Sequence, residues 1–360
     1  MGSHYREGFG NTFCIDGVPL LESRNRPKEE PLPAEMQAIM VSSIGGPEVL
    51  QWRSIERPSP GSDEILVRIE AAGVNFIDVY HRTGLYPLDL PFTPGSEGAG
   101  VVESVGADVT GFAERDRVAW ARSSGTYGEY VTLPADQAVL VPDPVGLDVA
   151  AAVMLQGMTA HFLCLDTFPL EDGQRCLIHA GAGGVGHLLI QMAKNCGATV
   201  FTTVSTEAKA DLARRAGADH VINYQQVDFV EAVQELAGPK PLDVVYDGVG
   251  AATFSSGLEL LRPRGMMVTF GNASGPPLPV DPLQLMRLGS LFVTRPMLWH
   301  YVATRAELER RTSDLFAWIS AGALDVHIGA RFPVAAAADA HRALESRETI
   351  GKILLDVRRE

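Results

Sequence analysis

The sequence predicts an α/β protein of two domains, one mostly β with many turns and the other a doubly wound parallel sheet. Three observations carry that reading. The 360 residues exceed what a single hydrophobic core usually supports. Up to about residue 150 the apolar runs are short and divided by Gly, Pro and Asp, the pattern of a compact β domain. Beyond it, strand-like runs alternate with helical ones, which indicates a parallel sheet with right-handed crossovers.

Residues 1–34 come first in the chain. They are rich in Gly, Pro and charge, and ESRNRPKEEPLP has no periodicity. The expectation is a flexible extension, or a leader ahead of a domain that opens at Met36. QAIMV, EILVRIEAAGV, GAGVVESVG, DRVAWA and EYVTL then read as strands. AAAVMLQGMTAHFLCL spaces its apolar residues as a buried helix does. Strand RCLIHAGA, helix HLLIQMAKNCGA, strand TVFTTV, helix EAKADLARRAGA and strand HVINY follow, and PLDVVYDGVG and GMMVTFGN add two strands. Near the C-terminus RAELERRTSDLFAWISAG is an amphipathic helix, AAAADAHRALES a second helix and KILLDV a final strand.

Thirty Lys and Arg against 44 Asp and Glu give a formal charge of −14. That balance disfavours general attraction to nucleic acid or an anionic membrane. No apolar run reads as long enough to cross a bilayer, and MGSHYREGFGNTF lacks the apolar segment of a signal peptide. The expected location is the cytoplasm, with neither nucleic acid nor membrane as a partner. Cys14, Cys164, Cys176 and Cys196 form no C-x-x-C and match no zinc-binding spacing. They read as buried, reduced small hydrophobes.

HAGAGGVG, residues 179–186, follows an apolar strand and opens a helix, with Gly181, Gly183 and Gly186 at G-x-G-x-x-G spacing. Glycine there permits a tight turn, close approach to a pyrophosphate and close helix packing. The helix N-terminus offers free N–H groups and a favourable dipole, with Gly184 and Val185 in its first turn. The motif alone is weak; its strand–turn–helix context and the later βα units make it a dinucleotide site. NAD sites usually end their second strand with Asp or Glu, which binds the ribose 2′-hydroxyl. Here Val204, Ser205 and Thr206 stand there, Glu207 begins the next helix, Lys209 lies just beyond, and Tyr224 closes HVINY. An absent acid beside an available cation favours the 2′-phosphate of NADPH, although Lys209 also reads as a solvated helical lysine.

AAGVNFIDVYHRTGLYP, residues 71–87, sets Asn75, Asp78, Tyr80, His81 and Tyr86 in an apolar stretch without a thiol. By itself it is open to three readings: a metal site, a metal-free pocket, or the solvated side of a helix. With FTPGSEGAGVVESVG, HAGAGGVG, HVINY, VVYDGVG, MVTFGNASG and VTRP beside it, residues 36–360 resemble the zinc-independent quinone oxidoreductases of the medium-chain dehydrogenase/reductase superfamily. That group includes zeta-crystallin. Zinc alcohol dehydrogenases of the superfamily carry Cys where Asn75 stands and His where Ser96 stands, in the turn Gly95-Ser96-Glu97. An amide and a hydroxyl do not replace a thiolate and an imidazole as tight zinc ligands, so the resemblance implies a metal-free pocket.

The resemblance further implies a GroES-like catalytic domain from residues 36–157 and 298–360, with an inserted Rossmann domain, 158–297, that binds NADPH in the cleft. It implies Asn75, Tyr80 and Tyr86 as the residues facing the nicotinamide and the substrate. Lys209, Tyr224 and Arg347 fall on the 2′-phosphate contacts, with Ser205 beside them. Met158 and Thr159 in LQGMTAH and Phe270, Gly271 and Asn272 in the FGNASG loop are expected to line the cofactor. Two departures stand out. Gln156 stands where many relatives have Lys, which bears on substrate choice, and Arg115 adds bulk at a turn.

The implied activity is NADPH-dependent reduction of a quinone or another electrophilic carbonyl compound without a Lewis acid. Reduction of the C=C bond of an enone or acrylate uses the same cofactor and fold. A crystallin-like structural or RNA-binding role is the non-enzymatic alternative, which the charge of −14 disfavours. A homodimer is implied through the edge strand SLFVTRP of the Rossmann sheet. Each polar residue also has a plainer reading. Tyr80 reads as core, Asp78 as a scaffold carboxylate, His81 as solvent-facing and Glu97 as ordering its turn. His179 reads as a satisfied core histidine and Arg347 as a surface helix residue.

Overall fold

The computed structural model describes residues 34–122 and 124–357, so the extension read over 1–34, with Cys14, lies outside the described residues apart from Ala34. Strands β1 (Glu35–Met40) and β2 (Gln51–Glu56) pair antiparallel as a ribbon. Strand β3 (Glu64–Val74) buries every residue from Ala71 to Val74, as a strand covered on both faces must. Helix α1 (Phe76–Thr83) follows at once. The Asp78 carboxylate accepts from the Asn75 N–H at 2.9 Å at its start, and Gly84, at φ 79°, ends it in the left-handed conformation. Strands β4 (Gly98–Val105), β5 (Arg117–Trp120), β6 (Tyr130–Pro134) and β7 (Val139–Leu140) complete this part of the sheet.

Helix α2 (Leu147–Phe162) packs against β3, β4 and β5 on one side, and a π-helical turn, Leu163–Thr167, extends it. Contrary to the sequence expectation, Leu147–Thr167 is long and apolar enough to cross a membrane by length and composition. However, 72% of its apolar window is buried inside the protein. A helix apolar all round is what such a core position requires.

Next come β8 (Arg175–Ile178), α3 (Gly184–Asn195), β9 (Thr199–Val204), α4 (Glu207–Arg215), β10 (His220–Asn223) and α5 (Phe229–Ala237). They continue into β11 (Leu242–Asp247), α6 (Phe254–Glu259), β12 (Leu261–Thr269), α7 (Pro282–Gly289) and β13 (Phe292–Thr294). The six strands are all parallel, in the order β10-β9-β8-β11-β12-β13. This is the doubly wound arrangement, with its switch point beside the first strand. Cys176, Leu177, Val200, Val244 and Val245 at its centre are fully buried.

The chain then forms α8 (Leu298–Tyr301), α9 (Arg305–Ser320), β14 (Ile328–Pro333), α10 (Ala337–Glu345) and β15 (Lys352–Asp356). Strand β15 returns to the first sheet, antiparallel to β3 with Ile353 opposite Val74, and β14 pairs parallel on its far side. That sheet reads β14-β15-β3-β4-β5-β7, with β6 also on β3. Just before β15 the Gly351 N–H donates to the Ala182 carbonyl at 2.8 Å. The last strand is thereby moored to the glycine loop.

Candidate active site

The glycine loop joins β8 to α3. Two of its glycines are fixed by space: a Cβ on Gly181 would run into Thr202 Oγ1 and one on Gly186 into the Ala180 carbonyl, while one on Gly184 would meet only the movable end of Gln156. Gly183 has more room, its nearest neighbour lying 3.2 Å away. The left-handed residue of the loop is Ala180, at φ 56°, so close packing rather than backbone freedom selects these glycines. The N–H groups of Gly184, Val185 and Gly186 lie in the first turn of α3, where no intrahelical acceptor exists. A bare cradle with unpaired donors fits a pyrophosphate.

At the neighbouring strand end, Thr206 caps α4 by accepting from Lys209 N at 3.3 Å. The Lys209 ammonium reaches Ser205 Oγ at 3.3 Å and the Arg347 carbonyl. Arg347 donates to the Ala273 carbonyl at 3.2 Å. It lies just past α10 at φ 61°, so it is not a helix residue. Burial, and then the Arg347 charge, push the Lys209 ammonium below its ordinary pKa. Among the described residues neither cation has a carboxylate within ion-pair distance. Tyr224 is bonded through its N–H to the Val204 carbonyl at 3.1 Å and its ring is exposed. Two neighbouring like charges left unneutralised are suited to a dianion, and no acid stands there for a ribose 2′-hydroxyl.

The second cluster faces the loop after β12. Tyr80 is buried and its hydroxyl accepts from the Asn272 N–H at 2.8 Å. Burial, opposed by that N–H, raises the phenol above its ordinary pKa. The ring meets Tyr86 edge to face, with centroids 5.1 Å apart. Arg295, exposed, donates to Tyr86 OH at 3.2 Å, to Thr269 Oγ1 at 3.1 Å and to the Gly271 carbonyl at 2.9 Å. Both tyrosine hydroxyls therefore accept a bond and keep their own protons available to donate.

Asn75 sits beneath this cluster and is buried. Its Nδ2 donates to Glu97 Oε2 at 2.8 Å and to the Gly73 carbonyl at 3.3 Å. Its Oδ1 accepts from Lys352 Nζ at 2.9 Å and from Gln156 Nε2 at 3.1 Å. Two donors and two acceptor sites are thus spent inside the protein. Asn75, expected to face the nicotinamide and the substrate, thus lies at the centre of a buried network. Lys352 also pairs with Glu97 at 2.5 Å, both side chains being buried, and Glu97 Oε1 accepts from Leu155 N at 2.6 Å. Gly73 leaves the space this pair occupies, since a Cβ there would strike Glu97 Oε2. An amide, a hydroxyl and a carboxylate already neutralised by an ammonium do not make a zinc site.

Asp78 binds Asn75 N, Ser96 Oγ at 3.2 Å and Tyr127 OH at 3.1 Å. Burial pushes its carboxyl up to about 6 against the pull of those donors. It is a scaffold group, as its plainer reading has it. His81 is half-buried and does not simply face solvent. His179 Nδ1 meets Thr203 Oγ1 at 3.0 Å, but its Nε2 has no partner, so the histidine is only half satisfied. Met158 lies in the core, and Thr159 Oγ1 donates to the Leu155 carbonyl at 2.7 Å; neither side chain presents a free polar group. Phe270 packs on Gly248. The sequence reading missed Arg295 and Lys352. Arg295 lies in VTRP and Lys352 opens KILLDV, but Tyr86 for the first, and Asn75 and Glu97 for the second, are more than 200 positions away.

The family model for the alcohol dehydrogenase GroES-like domain matches residues 61–143, and that for zinc-binding dehydrogenase matches residues 184–306. The chain is 44% identical to the quinone oxidoreductase of Pseudomonas aeruginosa over 319 residues, covering 88% of this chain and 98% of that protein. It is 42% identical to a 2-haloacrylate reductase of a Burkholderia species over 331 residues, covering 89% and 98%. The solved structure of Escherichia coli quinone oxidoreductase complexed with NADPH superposes with a TM-score of 0.87 at 41% identity, covering 89% of this chain and 99% of that one.

Proposed function

The chain belongs to the quinone oxidoreductase family of the medium-chain dehydrogenases/reductases, and from that membership we propose how its own residues carry the reaction. It is an NADPH-dependent oxidoreductase that transfers hydride to quinones. NADPH, when bound, supplies the hydride. Gly181, Gly183, Gly184, Val185 and Gly186 hold its pyrophosphate, and Ser205, Lys209, Tyr224 and Arg347 hold its 2′-phosphate. Phe270, Gly271 and Asn272 border the reacting ring, while Met158 and Thr159 shape the wall behind it. The observation that carries the reading is a pair of neighbouring cations without a carboxylate partner among the described residues, Lys209 on Ser205 and Arg347 on the Ala273 carbonyl.

Tyr80 and Tyr86 donate their free O–H protons to the acceptor oxygen as it gains negative charge. Asn75, through Lys352 and Gln156, fixes the floor on which both stand. With a quinone in the assay, Tyr86→Phe should lower kcat between about 10- and 100-fold, with KM for NADPH changing little. An unchanged kcat would remove Tyr86 from the chemistry. Reduction of an enone or acrylate C=C bond is the second reading, favoured by the identity to the 2-haloacrylate reductase. Wild-type kcat/KM across quinone and enone panels ranks the two.

Residues 36–157 and 298–360 form the catalytic domain in this proposal, and 158–297 the cofactor domain. The enzyme works in the cytoplasm, without nucleic acid or membrane, in keeping with its charge of −14 and its buried α2. It pairs as a homodimer through β13, a sheet edge where Phe292, with Leu283 and Met286 of α7, is more than half exposed. Phe292→Asp should turn a dimer into a monomer in sedimentation equilibrium. A monomeric wild type, or a variant that stays dimeric, would remove that interface.

A further inference from the structure

We propose that Arg295 is an anion-binding residue of the acceptor cleft, one that takes a carboxylate or sulfonate carried by the electron acceptor. The inference rests on the reading of Tyr80 and Tyr86 as the acceptor's hydrogen-bond donors and adds a substrate class to it.

Arg295 follows the edge strand β13, and its guanidinium is held from three sides without being neutralised. Thr269 Oγ1 and the Gly271 carbonyl take Nη1, and Tyr86 OH takes one Nη2 proton. Among the described residues no carboxylate lies within ion-pair distance of it. The buried arginines are provided for differently: Arg82 pairs with Glu345 and Arg311 with Asp166. Five N–H donors less these three leave Nε–H and one Nη2–H, a fork that suits a carboxylate or sulfonate bidentately. Turned to present its oxygen, the Asn272 amide reaches Nη2 at 3.2 Å. It is the neutral group that an arriving anion displaces.

The position selects what the anion belongs to. Arg295 touches Tyr86 directly, and Tyr86 packs on Tyr80, whereas Lys209, read as part of the cofactor's phosphate site, reaches Ser205 and the Arg347 guanidinium is held on the Ala273 carbonyl. An acceptor whose oxygen lies on the tyrosines thus brings a neighbouring anionic substituent to the guanidinium.

The test compares 1,2-naphthoquinone-4-sulfonate with 1,2-naphthoquinone, which share the reducible ring system, under saturating NADPH at low salt. Wild-type kcat/KM should favour the sulfonate. In Arg295→Gln the sulfonate-to-neutral ratio of kcat/KM should fall at least about 10-fold, chiefly through KM, the size expected for one charge-assisted contact. Arg295→Lys, which keeps the charge, should restore most of the ratio. An unchanged ratio with both acceptors equally impaired would make Arg295 a brace for the Tyr86 loop and overturn the proposal. A rise in KM for NADPH alone would assign the charge to the cofactor, and would overturn it too. Turnover of neither quinone by the wild type would bring down the oxidoreductase reading itself; turnover of both without preference would bring down only the anion site.

Discussion

Lys209→Ala should raise KM for NADPH by about 10- to 100-fold while KM for NADH moves by no more than about threefold. A hydrogen bond to a charged group contributes roughly 1.5–3 kcal/mol, and every 1.4 kcal/mol is about a factor of ten in affinity. Among the described residues the ammonium meets the Ser205 hydroxyl and the Arg347 carbonyl, so no charge there neutralises it. Removing Lys209 also relieves its repulsion with Arg347, which lies close enough to depress the lysine's proton affinity. The single substitution should therefore understate the site, and adding Arg347→Ala should weaken NADPH further without touching NADH. Steady-state kinetics with both nucleotides decide the matter. Equal losses for the two would mean that the 2′-phosphate lies elsewhere.

Lys352→Met should cost about 3–5 kcal/mol of stability, the penalty for leaving a buried partner charge without its counterion. The stranded group is Glu97, fully buried and bonded to Leu155 N and Asn75 Nδ2. For a protein of this size that loss lowers Tm by about 4–7 °C. Glu97→Gln in the same chain should recover part of it, since a neutral amide carries no unpaired charge, whereas Glu97→Gln alone leaves the ammonium stranded and should also destabilise. Thermal unfolding of the four proteins gives the coupling directly. A single variant melting within about 2 °C of wild type would show that the pair holds nothing up.

The parts of this molecule written in local pattern were legible in its sequence. The glycine loop, the strand–helix alternation and the missing acid after β9 each occupy a few neighbouring positions. So do Tyr80 and Tyr86 as a pair, because α1 and its Gly84 cap set them together. What escaped depends on contacts far apart in the chain. Nothing near Asn75 in the sequence shows that Lys352 and Gln156 bond its oxygen. Arg295 gains its meaning only from Tyr86. Strand β2 was invisible for a different reason, since its residues are nearly all exposed and show no alternation. The apolar length of α2 reads alike for a bilayer and for a protein interior, and only packing distinguishes them.

The pairing of β15 with β3 has a consequence for biosynthesis. Val74 leaves the ribosome long before Ile353, its neighbour across the sheet. Until then β3 offers an open edge of unpaired N–H and C=O groups, while the parallel sheet encoded between them is complete and free to fold. The lobe begun first is finished last, and a chain released before Lys352 would lack both a middle strand and the counterion of Glu97.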